Sequence, residues 1–277
     1  MGQGLDPSLI GRSQGESVAS SPWFERGARA GLVARGAVYI IIGVLAVKLA
    51  IGEGGETTSQ QQALQEIAQQ SFGKTLLVLT AIGLAGYAIW RLVRAWIGHG
   101  PEQSDSTFDR IGGFVSGIGY LLLCIAAIEI IIGSGGGGGS EQASKTTGGV
   151  LGWTGGVYIV GIAGAATIFE GLDQGYKAIT RKFLEKSKTG EMSPTMKTTF
   201  TRIGVFGHLA RMVVFVLIGY FLLKAAIDFN PDAAISLDGA LSKLAQADYG
   251  PYLLGVVAFG LIGFGLYSLL DARYRKV

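Results

Sequence analysis

The sequence predicts an all-α membrane protein: six transmembrane helices, arranged as three parallel two-helix repeats with pseudo-threefold symmetry about the membrane normal. Three observations carry this expectation. Charged residues make up only 16% of the 277 positions and apolar residues 49%, with 45 glycines, a balance typical of polytopic membrane proteins. Six stretches, near 32–51, 75–97, 112–133, 150–171, 204–227 and 251–271, each supply the roughly 20 residues a helix needs to cross a hydrocarbon core. The chain also repeats itself. Residues 63–95 slide onto 240–272 with a constant shift of 177, carrying Ala63-Leu64 onto Ala240-Leu241 and Gly83/Gly86 onto Gly260/Gly263. Upstream, a shift of 176 carries Arg35 onto Arg211, Tyr39 onto Phe215 and Lys48 onto Lys224, and a shift of 81 sets Gly117 and Tyr120 of a looser middle copy under Gly36 and Tyr39. Two spans per copy keep all copies in one orientation, related by an axis along the membrane normal.

The elements follow in order. Residues 1–24 form a polar tail with no cleavage site after the first apolar run, so the first span itself directs insertion. The first repeat spans 25–97. Its outer loop holds Ala63, Leu64, Ile67, Ala68 and Phe72 at helical spacing after Ser59, which predicts an amphipathic outer helix over 60–72. The second repeat, 110–182, carries instead a glycine-rich outer loop at 133–140, where the run Gly135 to Gly139 is too entropic to hold structure. A basic linker, 183–201, leads to the third repeat, 202–277, whose outer helix at 237–249 presents Ala240, Leu241, Leu244, Ala245 and Tyr249. The lone Cys124 sits inside a span, excludes an intramolecular disulfide and reads as a small core residue.

Lipid offers no hydrophobic drive between helices, so packing rests on close approach. Gly83/Gly86, Gly161/Gly164 and Gly260/Gly263 give each even span a small-residue face, and Gly36, Gly43, Ala46 and Ala50 give one to the first span. The symmetry then gathers odd spans together and even spans together.

Ionisable residues within spans are costly and are the default functional candidates. Arg35 and Arg211 occupy equivalent places near one end of the first and fifth spans, where the middle copy has Ser116; His208 shares a face with Arg211. Lys48, Glu129 and Lys224 are equivalent at the opposite ends of the odd spans, so one carboxylate could meet two ammonium groups around a central axis. Arg91, Arg94, Glu170, Asp173, Asp271 and Arg273 cluster at the ends of the even spans and read as ion pairs between hairpins. The bland alternatives are a snorkelling Arg35, Lys48 and Lys224 as interface anchors, and a satisfied core His208.

Several classes are excluded. His208 and His99 are the only histidines, too few for a haem or metal site. No phosphate-binding glycine loop is present, no serine or cysteine nucleophile has a histidine base in its span, and Glu129 and Glu170 lie near opposite bilayer faces. No enzyme activity, cofactor or nucleic-acid partner is expected.

Arg and Lys gather on one side, among them Arg26, Arg29, Arg91, Arg94, Lys177 and Arg273, and leave the other with Lys48, Lys74, Lys145, Lys224 and Lys243. The positive-inside rule puts both termini in the cytoplasm. Lys177, Arg181, Lys182, Lys186 and Lys188 form a basic segment suited to anionic lipid.

Gly31-Leu32-Val33-Ala34-Arg35-Gly36-Ala37-Val38-Tyr39 in the first copy, and Arg202-Ile203-Gly204 through Ala210-Arg211 in the third, have a recognisable pattern. So do Leu237-Asp238-Gly239-Ala240-Leu241, Tyr249-Gly250-Pro251, Gly265-Leu266-Tyr267 and Asp271-Ala272-Arg273-Tyr274-Arg275. From about residue 24 to its end the chain resembles the bacterial membrane family catalogued as domain of unknown function 1206. The resemblance implies a six-span protein of the bacterial inner membrane built from three copies of one unit, and supplies no activity or substrate. The sequence favours a non-enzymatic scaffold or accessory subunit with a membrane-protein partner; the alternative is a transporter or channel for a small solute such as an anion.

Overall fold

The computed structural model describes residues 22–52, 73–97, 107–132 and 139–276. These residues form α1 (Pro22–Ala50), α2 (Gly73–Ile97), α3 (Thr107–Ile131), α4 (Gly139–Leu151), α5 (Gly156–Thr180), α6 (Pro194–Ile227), α7 (Leu237–Ala245) and α8 (Gly250–Tyr274). Short 3-10 turns occupy Lys182–Lys186, Thr189–Glu191 and Pro231–Ala233, and no strand occurs among the described residues. Among the described residues four helices, α1, α5, α6 and α8, are long and apolar enough to cross a membrane. The outer helix expected at 60–72 and the polar tail up to residue 21 lie outside the described residues.

Local chemistry sets the boundaries. Ser193 caps α6 by accepting a hydrogen bond from the Met196 amide at 3.3 Å, and Pro194 follows in the first turn. α5 is entered through Gly155 at φ 83, a conformation open to glycine, so the fourth span starts at 156 and not at the expected 150. The preceding residues form α4, and the expected glycine-rich loop at 133–140 gives up Gly139 and Ser140 to it. Glu141 favours the start of α4, and its ion pair with Lys145 at 2.6 Å supports the next turn. That hydrogen bond also holds the Glu141 carboxyl below the usual carboxylate range. The middle repeat thus has a short helix between its two long ones. It is tied to α7, where Asp238 accepts from the Ser140 amide at 3.2 Å, the Ser140 hydroxyl at 2.9 Å and the Ser236 hydroxyl. Leu237, Ala240 and Leu241 of α7 are buried, so this helix covers the bundle with its apolar face.

The long helices are neighbours in the order α3, α2, α1, α8, α6, α5. Counting the six long helices in chain order, every extended contact among the described residues joins an odd-numbered one to an even-numbered one: α1 with α8, α3 with α2 and α6 with α5 between repeats, then α1 with α2 and α6 with α8 within repeats. The expected gathering of odd with odd and even with even is therefore corrected. The reason is where the gaps lie. A Cβ on Gly36 would fall 2.8 Å from the Gly265 carbonyl, so α1 and α8 touch backbone to backbone.

The contacts between repeats use matching positions. Gly36 of α1 faces Leu269, Gly117 of α3 faces Leu92, and in the third contact the roles reverse, with Met212 of α6 facing Gly175. Two turns further along, Gly43 faces the Ala258 carbonyl and Ile262, Cys124 lies 3.4 Å from the Ala81 carbonyl, and Gly219 faces the Gly164 carbonyl and Ile168. Gly164 is thereby the structural counterpart of Ala81 and Ala258, not of Gly86. The residues that match Gly83/Gly86 and Gly260/Gly263 are Ala166 and Phe169. Gly83 and Gly86 pack on Ala30 and Gly27 within their repeat, and Gly260 and Gly263 pack on α6 within theirs, while Gly164 packs across to the next repeat and Gly161 nears Ala226 of that same helix. With a phenylalanine where the others carry glycine, α3 and α5 make no extended contact among the described residues. The middle hairpin stands open.

Gly219→Leu would push against the Gly164 carbonyl, 2.7 Å from the added Cβ, and is expected to cost about 1–3 kcal/mol. Gly149 has no heavy atom within 4 Å of such a Cβ, so Gly149→Leu serves as control. Equal thermal midpoints for the two variants in detergent would remove the α5–α6 contact as a source of stability.

Candidate functional site

The two arginines made equivalent by the repeat have opposite surroundings. Arg35 is buried on α1 and fully engaged. Its Nε donates to the Ser268 hydroxyl at 3.1 Å, its Nη1 donates to the Tyr87 hydroxyl at 3.1 Å, and its Nη2 lies 3.9 Å from Asp271 Oδ2. Asp271, 0% exposed, also accepts from Arg275 Nη1 at 3.2 Å and from the Ser187 hydroxyl at 3.0 Å. Arg35 thus has both a counter-ion and hydrogen bonds, as a buried ion pair requires.

The partner position recurs around the bundle. Ser268 of α8 corresponds to Arg91 of α2, and here donor and acceptor are exchanged: Arg91 Nε donates to Ser116 at 3.2 Å. Gln174 of α5 occupies the third such place, but its hydrogen bonds go to His208 and Glu170. Its Oε1 lies 2.6 Å from His208 Nδ1, and its Nε2 donates to Glu170 at 2.6 Å. His208 is 6% exposed, packs among Phe183, Phe264 and Tyr267, and leaves its buried Nε2 without a hydrogen-bond partner.

Arg211 has no carboxylate within ion-pair distance among the described residues, and its buried Nε has no hydrogen-bond partner. Aromatic rings hold it instead. Its guanidinium carbon lies 4.5 Å from the Phe264 centroid, 4.7 Å from Phe215 and 5.7 Å from Tyr39.

Three cavities meet at this residue. One of about 400 Å³ lies under α4 and α7, lined by Gln142, Thr147, Ser236 and Leu237 together with Tyr39, Phe215 and Arg211. A second, of about 430 Å³, opens between α3 and α5 and shares Tyr39, Phe215 and Arg211 with the first. The third, of about 240 Å³, lies at the basic end; Arg35, Arg91, Lys177, Lys182, Lys186, Arg211 and Arg275 outnumber Asp173, Glu185 and Asp271 in its lining. Such a wall focuses a positive field and raises the local concentration of anions.

The remaining expected residues disperse. Lys48 and Lys224 are exposed on helices that do not pack along each other, and the Glu129 side chain lies outside the described residues, so no central charge triplet forms from what is described. The expected inner cluster splits: Asp271 joins Arg35, Arg91 joins Ser116, Asp173 pairs with Lys177 on its own helix, Glu170 accepts from Gln174, and Arg273 is exposed beside Tyr274. The Arg94 side chain lies outside the described residues. The linker 183–201 is docked and not free. Phe183 is 4% exposed, Ser187 reaches Asp271, and the Lys188 amide donates to the Tyr274 carbonyl at 2.6 Å. Of the basic segment, Lys182 lies over the Tyr176 ring, Lys188 pairs with Glu191 at 3.8 Å, and exposed Arg181 terminates α5 at φ 58. Ser268, Gln174, Tyr87, Arg275 and Ser187 are site residues that the sequence reading passed over. A polar residue recurring at Arg91, Gln174 and Ser268 was the available signal. Among the described residues no three His, Cys, Asp or Glu side chains gather to hold a metal ion.

Comparison with known proteins gives a consistent picture. The family model described as Domain of Unknown Function (DUF1206) matches three segments, 30–98, 111–181 and 206–275, whose ends reproduce the register seen in the helix contacts. A Bacillus subtilis (strain 168) protein named "Uncharacterized protein YxxB" is 35% identical over 261 residues, covering 93% of this chain and 94% of its own. No solved structure matches the chain.

Proposed function

The chain belongs to the DUF1206 family, and from that premise we propose a multi-pass protein of the bacterial inner membrane that binds a small anion at Arg211 and passes it between the cavities. In this reading the six long helices are six spans about a pseudo-threefold axis, the basic end and both termini face the cytoplasm, and the protein catalyses no covalent step. One observation carries it: where three cavities meet, Arg211 has no carboxylate within ion-pair distance among the described residues and a buried Nε without a hydrogen-bond partner. A cation held in a low-dielectric interior without a counter-ion is costly, and an arriving anion relieves that cost. Its equivalent, Arg35, has Asp271, shared with Arg275, as counter-ion and two hydrogen-bond acceptors, so the binding role falls on Arg211.

Liposomes containing the protein are expected to take up radiolabelled phosphate or chloride, and Arg211→Gln is expected to reduce uptake to that of empty liposomes. Wild-type uptake by that variant, or no uptake by the native protein, would remove Arg211 from any pathway.

A second reading, as a scaffold or accessory subunit, draws on the closed side of the bundle, where Gly36 meets Gly265 and Gly86 meets Gly27. The segment from Lys177 to Lys188 would then hold anionic lipid, with attraction of about 1 kcal/mol per basic residue near the surface. Lys182→Gln with Lys186→Gln is expected to lower the retained anionic lipid after purification. Equal retention of anionic and neutral lipid by the native protein counts against it.

A further inference from the structure

We propose that the anion taken by Arg211 is the head of a membrane-resident, single-chain amphiphile that enters sideways, between α3 and α5, with its tail in the cavity there. This deepens the reading of Arg211 as an anion site and rests on it.

The opening has a cause in the sequence. In the first and third repeats a glycine pair draws the two helices of the hairpin together: a Cβ on Gly86 would lie 3.2 Å from Gly27, and one on Gly207 would lie 2.6 Å from Phe264. The middle repeat carries Ala166 and Phe169 at the positions of Gly83 and Gly86. Phe169 is 56% exposed and directs bulk outward at the level where the other hairpins close. What remains between α3 and α5 is a space of about 430 Å³, within the roughly 300–1,000 Å³ of small-molecule sites.

Its lining changes character along its depth. Ala163, Ala166 and Gly119 offer small apolar surface, and Tyr39, Phe215 and Arg211 form the far wall shared with the cavity under α4 and α7. Glu170, the acidic side chain on this space, accepts a hydrogen bond from Gln174, so its charge is partly held. Outside, α5 presents Ile159, Ile162 and Phe169, each at least half exposed, as a helix bordering hydrocarbon does. An apolar entrance from the lipid side, ending at a guanidinium with no carboxylate partner among the described residues, complements a hydrocarbon tail behind an anionic head. A tail-less anion has a wetter route through the basic cavity at the other end.

The test compares two probes on the full chain in nanodiscs: inorganic phosphate and dodecyl phosphate. Arg211→Gln is expected to abolish binding of both. Ala166→Trp, which fills the lateral space from an exposed position, is expected to lower the ratio of dodecyl-phosphate to phosphate affinity by about ten-fold or more. On native protein, a diazirine placed in the tail is expected to label Gly119, Ala163 and their neighbours on α3 and α5, a readout independent of how any variant folds. Dodecyl phosphate that needs Arg211 but is indifferent to Ala166→Trp, or that labels elsewhere, would overturn lateral entry and leave the anion site standing. Binding of both probes unchanged in Arg211→Gln would overturn the anion site and the amphiphile with it.

Discussion

Asp271→Asn is expected to cost the fold about 3–5 kcal/mol, the largest stability loss of any single conservative change in this chain. The carboxylate is 0% exposed and serves two arginines at once, Arg35 at 3.9 Å and Arg275 at 3.2 Å, with the Ser187 hydroxyl at 3.0 Å. Asparagine keeps the volume but removes the charge that Arg35 and Arg275 share. The damage should reach the linker, because Ser187 holds it to the helix ends through that carboxylate. The expected readouts are a sharply lower thermal midpoint in detergent and new protease cleavage within 182–192. Arg35→Gln combined with Asp271→Asn is expected to recover part of the loss, a coupling of about 0.5–3 kcal/mol in a double-mutant cycle. An unchanged midpoint with no new cleavage would mean that Asp271 is not holding these elements.

The first and third repeats were legible because their glycines and aromatics recur at fixed offsets, and Gly43 and Gly219 do meet equivalent carbonyls. The middle repeat was misread for a physical reason. A small residue signals close approach but does not name the neighbour, so Gly161/Gly164 matched Gly83/Gly86 by identity while packing on a different helix. Aligning the polar positions Arg91, Gln174 and Ser268 gives the register that the packing uses. Ser116 read as a departure from the arginine pattern, although Arg91 supplies a guanidinium from the facing helix. The Lys48, Glu129, Lys224 triplet followed from equivalence alone, and equivalence carries no information about helix order. α4 was hidden by the glycine run at its entrance, yet Glu141 and Lys145, four apart, were its visible mark.

Arg211→Met is expected to raise stability by about 0.5–3 kcal/mol while ending anion binding. The estimate compares two terms. Placing an arginine within a membrane span costs about 2.5–3.5 kcal/mol on insertion scales, and contacts with aromatic rings return about 0.5–2 kcal/mol. Methionine keeps most of the packing against Phe264, Phe215 and Tyr39 and leaves no buried donor unpaired. Arg35→Met should behave in the opposite way, because it strips Ser268, Tyr87 and Asp271 of a partner each. The two variants therefore separate a binding residue from a structural one at equivalent positions of a repeat. Phosphate at a hundred times its dissociation constant should stabilise the native protein by about 2.7 kcal/mol. It should leave Arg211→Met where it was. An Arg211→Met midpoint as low as that of Arg35→Met would make Arg211 a second structural arginine, and the meeting of three cavities around it would then be a packing fault with no ligand to explain it.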